Sequence, residues 1–300
     1  NLPSNGRVVR GLVLSYAALI DDRLAQWIER NGAFPSTMVD RIVPATTEAD
    51  IAQAAGALGL EDRGLVVAEP FRQWVIEDVF VDGRPSWDRV GAEMTDNVGS
   101  FEFMKLRMLN GAHSSLAYLG YLSGYETVAD ASADKTLALF LEGLWREVIP
   151  TVPAPQGADL AGYARALLER FKNPSIRHRT WQIAMDGSQK LPQRLLGTIR
   201  DRLKAGQSID HLATGVAAWM RYVIGVDEKG QPIDVRDPLA EKLRAAADGA
   251  GRDAAKLADA LLKFDAIFGA DLPANEIFRR AVVAALARIL NDGATAAAQS

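Results

Sequence analysis

Phe101-Glu-Phe-Met-Lys-Leu-Arg-Met-Leu-Asn-Gly-Ala-His113 is the stretch that decides how this chain is read. It is rich in Leu and Met, has no Pro, and holds one interior glycine, Gly111, so it predicts a helix that continues to Ser123. At about 100° per residue, with Lys105 as zero, Glu102 falls near 60°, His113 near 80° and Asn110 near 140°. A base, an amide and an imidazole therefore line one side of a single rod. Lys105 and His113 stand roughly 12 Å apart along it. Helical side chains lean toward the N-terminus, which tilts His113 toward Asn110.

Such a set suits proton transfer at a hydroxyl. Lys105, in a partly apolar setting with Arg107 close in sequence, is the candidate acid-base, its pKa expected to be drawn toward neutrality. Phe103, Leu106 and Leu109 are expected to supply that apolar setting. The Asn110 amide can donate to an oxygen that gains negative charge. His113 could orient the same oxygen or hold Lys105. Glu102, three residues earlier, could pass a proton between Lys105 and solvent. The plain alternative makes Glu102 and Lys105 an ordinary helix ion pair and His113 a hydrogen-bonded core residue; spacing alone leaves both open.

Outward from this helix the pattern changes at about Asn97. Residues 1–96 read as α/β. A helix starts near Ser4-Asn5-Gly6 and runs to about Arg30, strands are expected at Met38–Val43, Leu65–Ala68 and Trp74–Phe80, and a helix at Thr47–Leu58 is capped by Thr46 or Thr47. Residues 97–300 read as helical, with helices expected at Ala133–Val148, Asp159–Phe171, Leu191–Lys204, Ile209–Ile224, Leu239–Ala247, Ala254–Phe268 and Asn275–Asn291, punctuated by prolines. The expected fold is thus an α/β fragment, the second half of a Rossmann-like domain, followed by a mainly α-helical domain.

Composition narrows the function classes. Hydrophobic residues make up 48% and charged residues 24% of the chain, enough for a large core. A net charge of −4 gives no basic footprint for nucleic acid, and no stretch reaches the roughly 18 apolar residues needed to span a membrane. Zero Cys excludes disulfides and thiolate metal sites and is compatible with the cytoplasm, where the chain is expected. His113, His178 and His211 lack metal-site spacing, so no metal is expected.

Several blocks carry a wider resemblance: TMVDRIVPAT (37–46), EPFRQWVIEDVF (69–80), GRPSWDRVGAEM (83–94), LRMLNGAHSSLAYLGYLSGY (106–125), HRTWQIAMDGSQKLPQR (178–194), GVAAWMRYV (215–223) and DVRDPL (234–239). In this order they resemble the mannitol dehydrogenase family of polyol-specific long-chain dehydrogenases/reductases, most closely its fructuronate reductase branch. The resemblance implies metal-independent, NAD-dependent interconversion of a secondary alcohol and a ketone. It also implies a helical domain like the C-terminal domain of 6-phosphogluconate dehydrogenase. The family's acid-base lysine falls on Lys105, its oxygen-binding asparagines on Asn110 and Asn1, its motif histidine on His113, its proton-relay glutamate on Glu102, and its cofactor-side aspartate on Asp40. The plain alternative makes Asp40 a turn residue or a partner of Arg41. No Gly-x-Gly-x-x-Gly turn between a strand and a helix is present to hold a pyrophosphate. The chain is therefore expected to begin inside the cofactor domain, and to bind NAD poorly alone.

For the substrate, Arg177, Arg179 and Lys190 gather around Asp186-Gly187-Ser188, an expected turn. A guanidinium matches a carboxylate with two hydrogen bonds, which a sugar acid requires and a neutral polyol does not. The family's substrate-pocket lysine falls on Lys190, and Gln182 stands where some mannitol-specific members carry a cation. Arg177 and Arg179 are equally readable as surface charges. D-Mannonate and D-fructuronate are the expected pair. The rivals are mannitol or another neutral polyol, and, from a different class, a non-catalytic helical binding or assembly module.

Overall fold

The computed structural model describes residues 3–299, which form two compact units. The first comprises residues 3–43, 68–105 and 153–158; the second comprises 44–67, 106–152 and 159–299.

The first unit opens with helix α1 (Asn5–Ile20) and helix α2 (Asp22–Asn31). The expected single helix is broken at Asp21, whose extended backbone lets its carboxylate accept from the Arg23 amide and cap α2. Gly6 is required at the start of α1, because a Cβ there would overlap the Phe34 carbonyl oxygen. Asn5 fastens the same turn, donating to the Thr37 carbonyl (2.6 Å) and accepting from the Thr37 amide (3.0 Å). Strand β1 (Thr37–Asp40) pairs antiparallel with β2 (Gln73–Glu77), which pairs parallel with β3 (Ala92–Thr95). Alternation in β1 sends Met38 and Asp40 inward, and Met38 joins Val75, Val98 and Phe101 in a small core. Helix α4 (Val98–Met104) supplies the last two of these and lies on the sheet. The Val8, Leu12, Tyr16, Leu19, Ile20 and Trp27 side chains of α1 and α2 are exposed.

Two further expectations for residues 1–96 fail. Leu65–Ala68 is not a strand; the carbonyl of Leu65 is taken by the Thr46 hydroxyl (3.0 Å) instead of a ladder. The strand β3, with the unremarkable sequence AEMT, was not expected; it follows Gly91, whose φ of +95° turns the chain into it.

The second unit is built of helices: α3 (Glu48–Leu58), α5 (Gly111–Leu122), α6 (Val128–Ala133), α7 (Lys135–Val148), α8 (Leu160–Phe171), α9 (Thr180–Ala184), α10 (Gly187–Leu191), α11 (Gly197–Lys204), α12 (Asp210–Tyr222), α13 (Ala240–Ala250), α14 (Ala254–Leu261), α15 (Asp265–Phe268), α16 (Asp271–Ala274), α17 (Glu276–Asp292) and α18 (Ala294–Ala297). Thr47 caps α3 in a reciprocal box with Asp50. Helices α5 and α12 are buried on nearly every face, as their all-round apolar character dictates, and they pack on each other; α12 also packs on α17. Small residues allow the approach: a Cβ on Gly215 would stand 2.6 Å from the Ser115 hydroxyl. The buried Glu147 of α7 caps α12, accepting from the amides of His211 and Leu212 (both 2.9 Å).

The expected helix 101–123 is interrupted in a way its composition does not announce. Lys105–Asn110 forms a π turn between α4 and α5. Its hydrogen bonds run i to i+5, so Asn110 follows Lys105 by one turn of this segment, and the 140° separation read from an α-helix does not apply. The Trp145 indole donates to the Met108 carbonyl (2.9 Å), satisfying an acceptor within the widened turn. A second π turn, Pro192–Leu196, interrupts the expected helix 191–204, where Pro192 withholds a backbone donor. The two segments meet at Gly111: a Cβ there would lie 2.8 Å from the Arg194 carbonyl oxygen.

Candidate active site

In the first unit, Lys105 is 9% exposed, and its ammonium donates to the Val39 carbonyl (2.5 Å) at the end of β1. The next residue, Asp40, is wholly buried. Met104 and Met108 are buried beside Lys105 in sequence, whereas Phe103, expected to shield it, is 44% exposed. Among the described residues, Glu102 forms no ion pair with Lys105. Its two carboxylate oxygens accept from the Ser4 amide (3.1 and 3.2 Å), where Ser4 holds a left-handed φ of 52°. Glu102 also lines a cleft of about 470 Å³ with Arg7, Arg10, Glu77, Asp96 and Asn97. Asn1 lies outside the described residues.

In the second unit, Asn110 is half-buried, and its amide has no hydrogen bond to any described residue. His113 is 6% exposed, stacked on Phe171 (centroids 5.0 Å, 9° between planes) and edge-on to His178 (4.9 Å, 77°). Nε2 of His113 and Nδ1 of His178 are buried without a partner. Burial, then the nearby charges of His178, Arg194, Arg170 and Lys190, hold the His113 pKa well below the ordinary histidine value. Burial, then Lys190, brings His178 down to about 4. Both imidazoles are neutral at pH 7.

Lys190 projects from α10. Its ammonium donates to the Met185 (2.5 Å) and Ile183 (3.3 Å) carbonyls, with the Asp186 carboxylate 3.9 Å away. Burial and the Arg194 charge push it down to about 8, so it stays largely cationic at pH 7. The expected turn at Asp186-Gly187-Ser188 is a helix start: Asp186 takes a φ of 55°, and Gly187 and Ser188 begin α10. Asp237 of the DVRDPL block ties that start down, accepting from the Ser188 amide (2.7 Å) and hydroxyl (2.6 Å).

Lys190 and His113 are thus brought together; Arg177 and Arg179 are placed otherwise. Arg177 is exposed, and the guanidinium of Arg179 is engaged by the Glu126 carboxylate. Besides Arg170, the cation that reaches this cluster is Arg194, to which the sequence alone assigns no role. Its spacing of four from Lys190 is the one signal that could have drawn it out. Among the described residues, no group of three or more His, Asp or Glu could hold a metal ion, and no helix is long and apolar enough to cross a membrane.

The model of the mannitol dehydrogenase Rossmann domain matches residues 1–89, and that of the mannitol dehydrogenase C-terminal domain matches 97–290. D-Mannonate oxidoreductase of Escherichia coli K12 is 54% identical over 298 residues, covering 98% of this chain and 60% of its own length. The uncharacterized oxidoreductase YdfI of the same strain is 52% identical, covering 99% and 61% respectively. Pseudomonas fluorescens mannitol 2-dehydrogenase, solved as a ternary complex with NAD and D-mannitol, matches with a TM-score of 0.89 at 37% identity, over 100% of this chain and 60% of that one. The chain therefore spans about three fifths of the length of these relatives. A Rossmann-type α/β region followed by a mostly helical domain, matched by both family models, makes this chain a member of the mannitol dehydrogenase family.

Proposed function

We propose that the protein is an NAD-dependent oxidoreductase that interconverts D-mannonate and D-fructuronate, with residues 1–96 on the cofactor side and 97–300 on the substrate side. The observation that carries this reading is the buried Lys105 ammonium held at the end of β1, at the first position of a π turn whose last residue, Asn110, has a free amide. The 54% identity to D-mannonate oxidoreductase supports the sugar acid.

A dinucleotide would meet this chain at its reactive end. Asp40 is fully buried and Lys105 nearly so, a dry setting suited to hydride transfer. Asp40 would stand on the cofactor side. When bound, NAD supplies the hydride acceptor. The chain's own groups do the rest. In the oxidation direction Lys105, as free amine, removes the hydroxyl proton, and in reduction it returns one to the alkoxide. Asn110, together with Asn1, donates to the oxygen as its charge changes. Glu102, on its cleft, passes the proton between Lys105 and water. His113, neutral, orients the oxygen.

Lys105→Ala should abolish mannonate oxidation, and Asn110→Ala should lower turnover roughly 10²-fold or more if one oxyanion donor is worth about 3 kcal/mol. Near-normal turnover by Lys105→Ala overturns the assignment. A neutral polyol is the second reading, favoured by the D-mannitol held in the Pseudomonas relative; faster NAD-linked oxidation of mannitol than of mannonate would select it.

A further inference from the structure

Arg194 stands apart from the other guanidiniums around it. It lies in the Pro192–Leu196 π turn, partly exposed, and its one hydrogen bond among the described residues donates from Nη1 to the Ser114 hydroxyl (2.9 Å). No carboxylate among the described residues pairs with it. Arg107, by contrast, is paired with Asp201, Arg179 with Glu126, and Arg200 with Asp271. Removing a charged guanidinium from water without a counter-charge is costly, so such a group is normally paired. Its neighbours deepen the imbalance. Lys190 is cationic, and Ser114, which it holds, follows His113 directly. The buried Nε2 of His113 and Nδ1 of His178 have no partner. Arg194 and Lys190, with Arg170 also close enough to act on His113, thus converge in one unit on two unpartnered imidazole nitrogens; of the neighbouring carboxylates, Asp186 stands 3.9 Å from Lys190, and Asp237 is spent on Ser188.

We infer that this cluster reads an anionic group of the ligand, and that Arg194 is the specificity-determining residue that favours a carboxylate-bearing sugar acid over a neutral polyol. The inference rests on the sugar-acid reading above and assigns the residue that enforces it. The planar fork of Arg194 has donors left for the two oxygens of a carboxylate after Ser114 takes one. Lys190 adds a point charge, and the imidazoles, neutral and fixed by stacking, offer hydrogen bonds to hydroxyls. A neutral polyol leaves the guanidinium without compensation, so the site is biased against it.

The test reads binding, not turnover. In the intact protein, the ring resonances of His113, His178 and His211 are followed by NMR during titration with D-mannonate, D-mannitol or inorganic phosphate. D-Mannonate should move His113 and His178 saturably and leave His211, held by Glu147, in place. D-Mannitol should bind at least roughly tenfold more weakly. Arg194→Gln should weaken mannonate binding roughly tenfold or more and leave mannitol binding within about twofold, the loss expected for one charge-assisted pair. An unshifted His211 signal reports that the variant is folded. If Arg194→Gln does not fold, Arg194→Lys keeps the charge but not the fork, and should still lose affinity for mannonate. Equal affinity for mannitol, equal affinity for phosphate, or unchanged mannonate binding in the folded variant overturns the inference. Failure of the redox assignment would register separately, as turnover by Lys105→Ala with this binding intact.

Discussion

Single atoms decide how Lys190 is presented. Gly187 sits where a Cβ would overlap the Trp219 indole nitrogen and stand 2.6 Å from the Tyr118 hydroxyl, two of the largest fully buried side chains. Gly187→Ala should therefore cost about 1–3 kcal/mol and displace α10, seen as a lower urea midpoint with an unchanged slope. At this scale the sequence revealed chemistry better than environment. Lys105, Asn110 and His113 could be picked out because three unlike groups recur at short spacing, and Lys190 because its block resembles the family's substrate-pocket turn. Arg177 and Arg179 were drawn in by charge alone, and charge does not say which guanidinium already has a carboxylate. Arg194 was overlooked for the same reason: its missing counter-charge is a property of the folded neighbourhood.

Elements were legible where periodicity is long and hidden where it is broken. Helices such as α7, α8 and α17 fall within a few residues of expectation, because their apolar stripes and acidic or Asn caps are written locally. The two π turns are not, since one extra residue in a turn leaves the composition of a helix intact. Pro192 hints at one of them; nothing in Lys105–Asn110 hints at the other. A distant side chain, Trp145, hydrogen-bonds into that first turn. Trp145→Phe keeps the ring and removes the donor, leaving the Met108 carbonyl unsatisfied in a buried site. The expected loss is about 1–3 kcal/mol. If the turn positions Lys105, turnover should fall as well, whereas an effect on the urea midpoint alone would make Trp145 purely structural.

For the molecule as a whole, the neutral imidazoles set an acid limit. An unfolded histidine titrates near pH 6.5, but His178 in the fold titrates at about 4, and His113 is also depressed. Below pH 6.5 the unfolded chain takes up protons that the folded one refuses, so stability falls as pH drops from about 6.5 toward 4 and is complete above that range. His178 alone accounts for up to about 3 kcal/mol. Urea midpoints at pH 7.5 and 4.5 should differ accordingly, and His178→Gln should narrow the gap. The apolar side chains displayed by α1 and α2 act on a different variable. With a net charge of only −4, Coulomb repulsion is a weak brake on association through that face. Adding sulfate should then enlarge the light-scattering radius instead of shrinking it, because salting-out strengthens oily contacts while it screens charge. Low ionic strength is consequently the condition under which this chain keeps to itself.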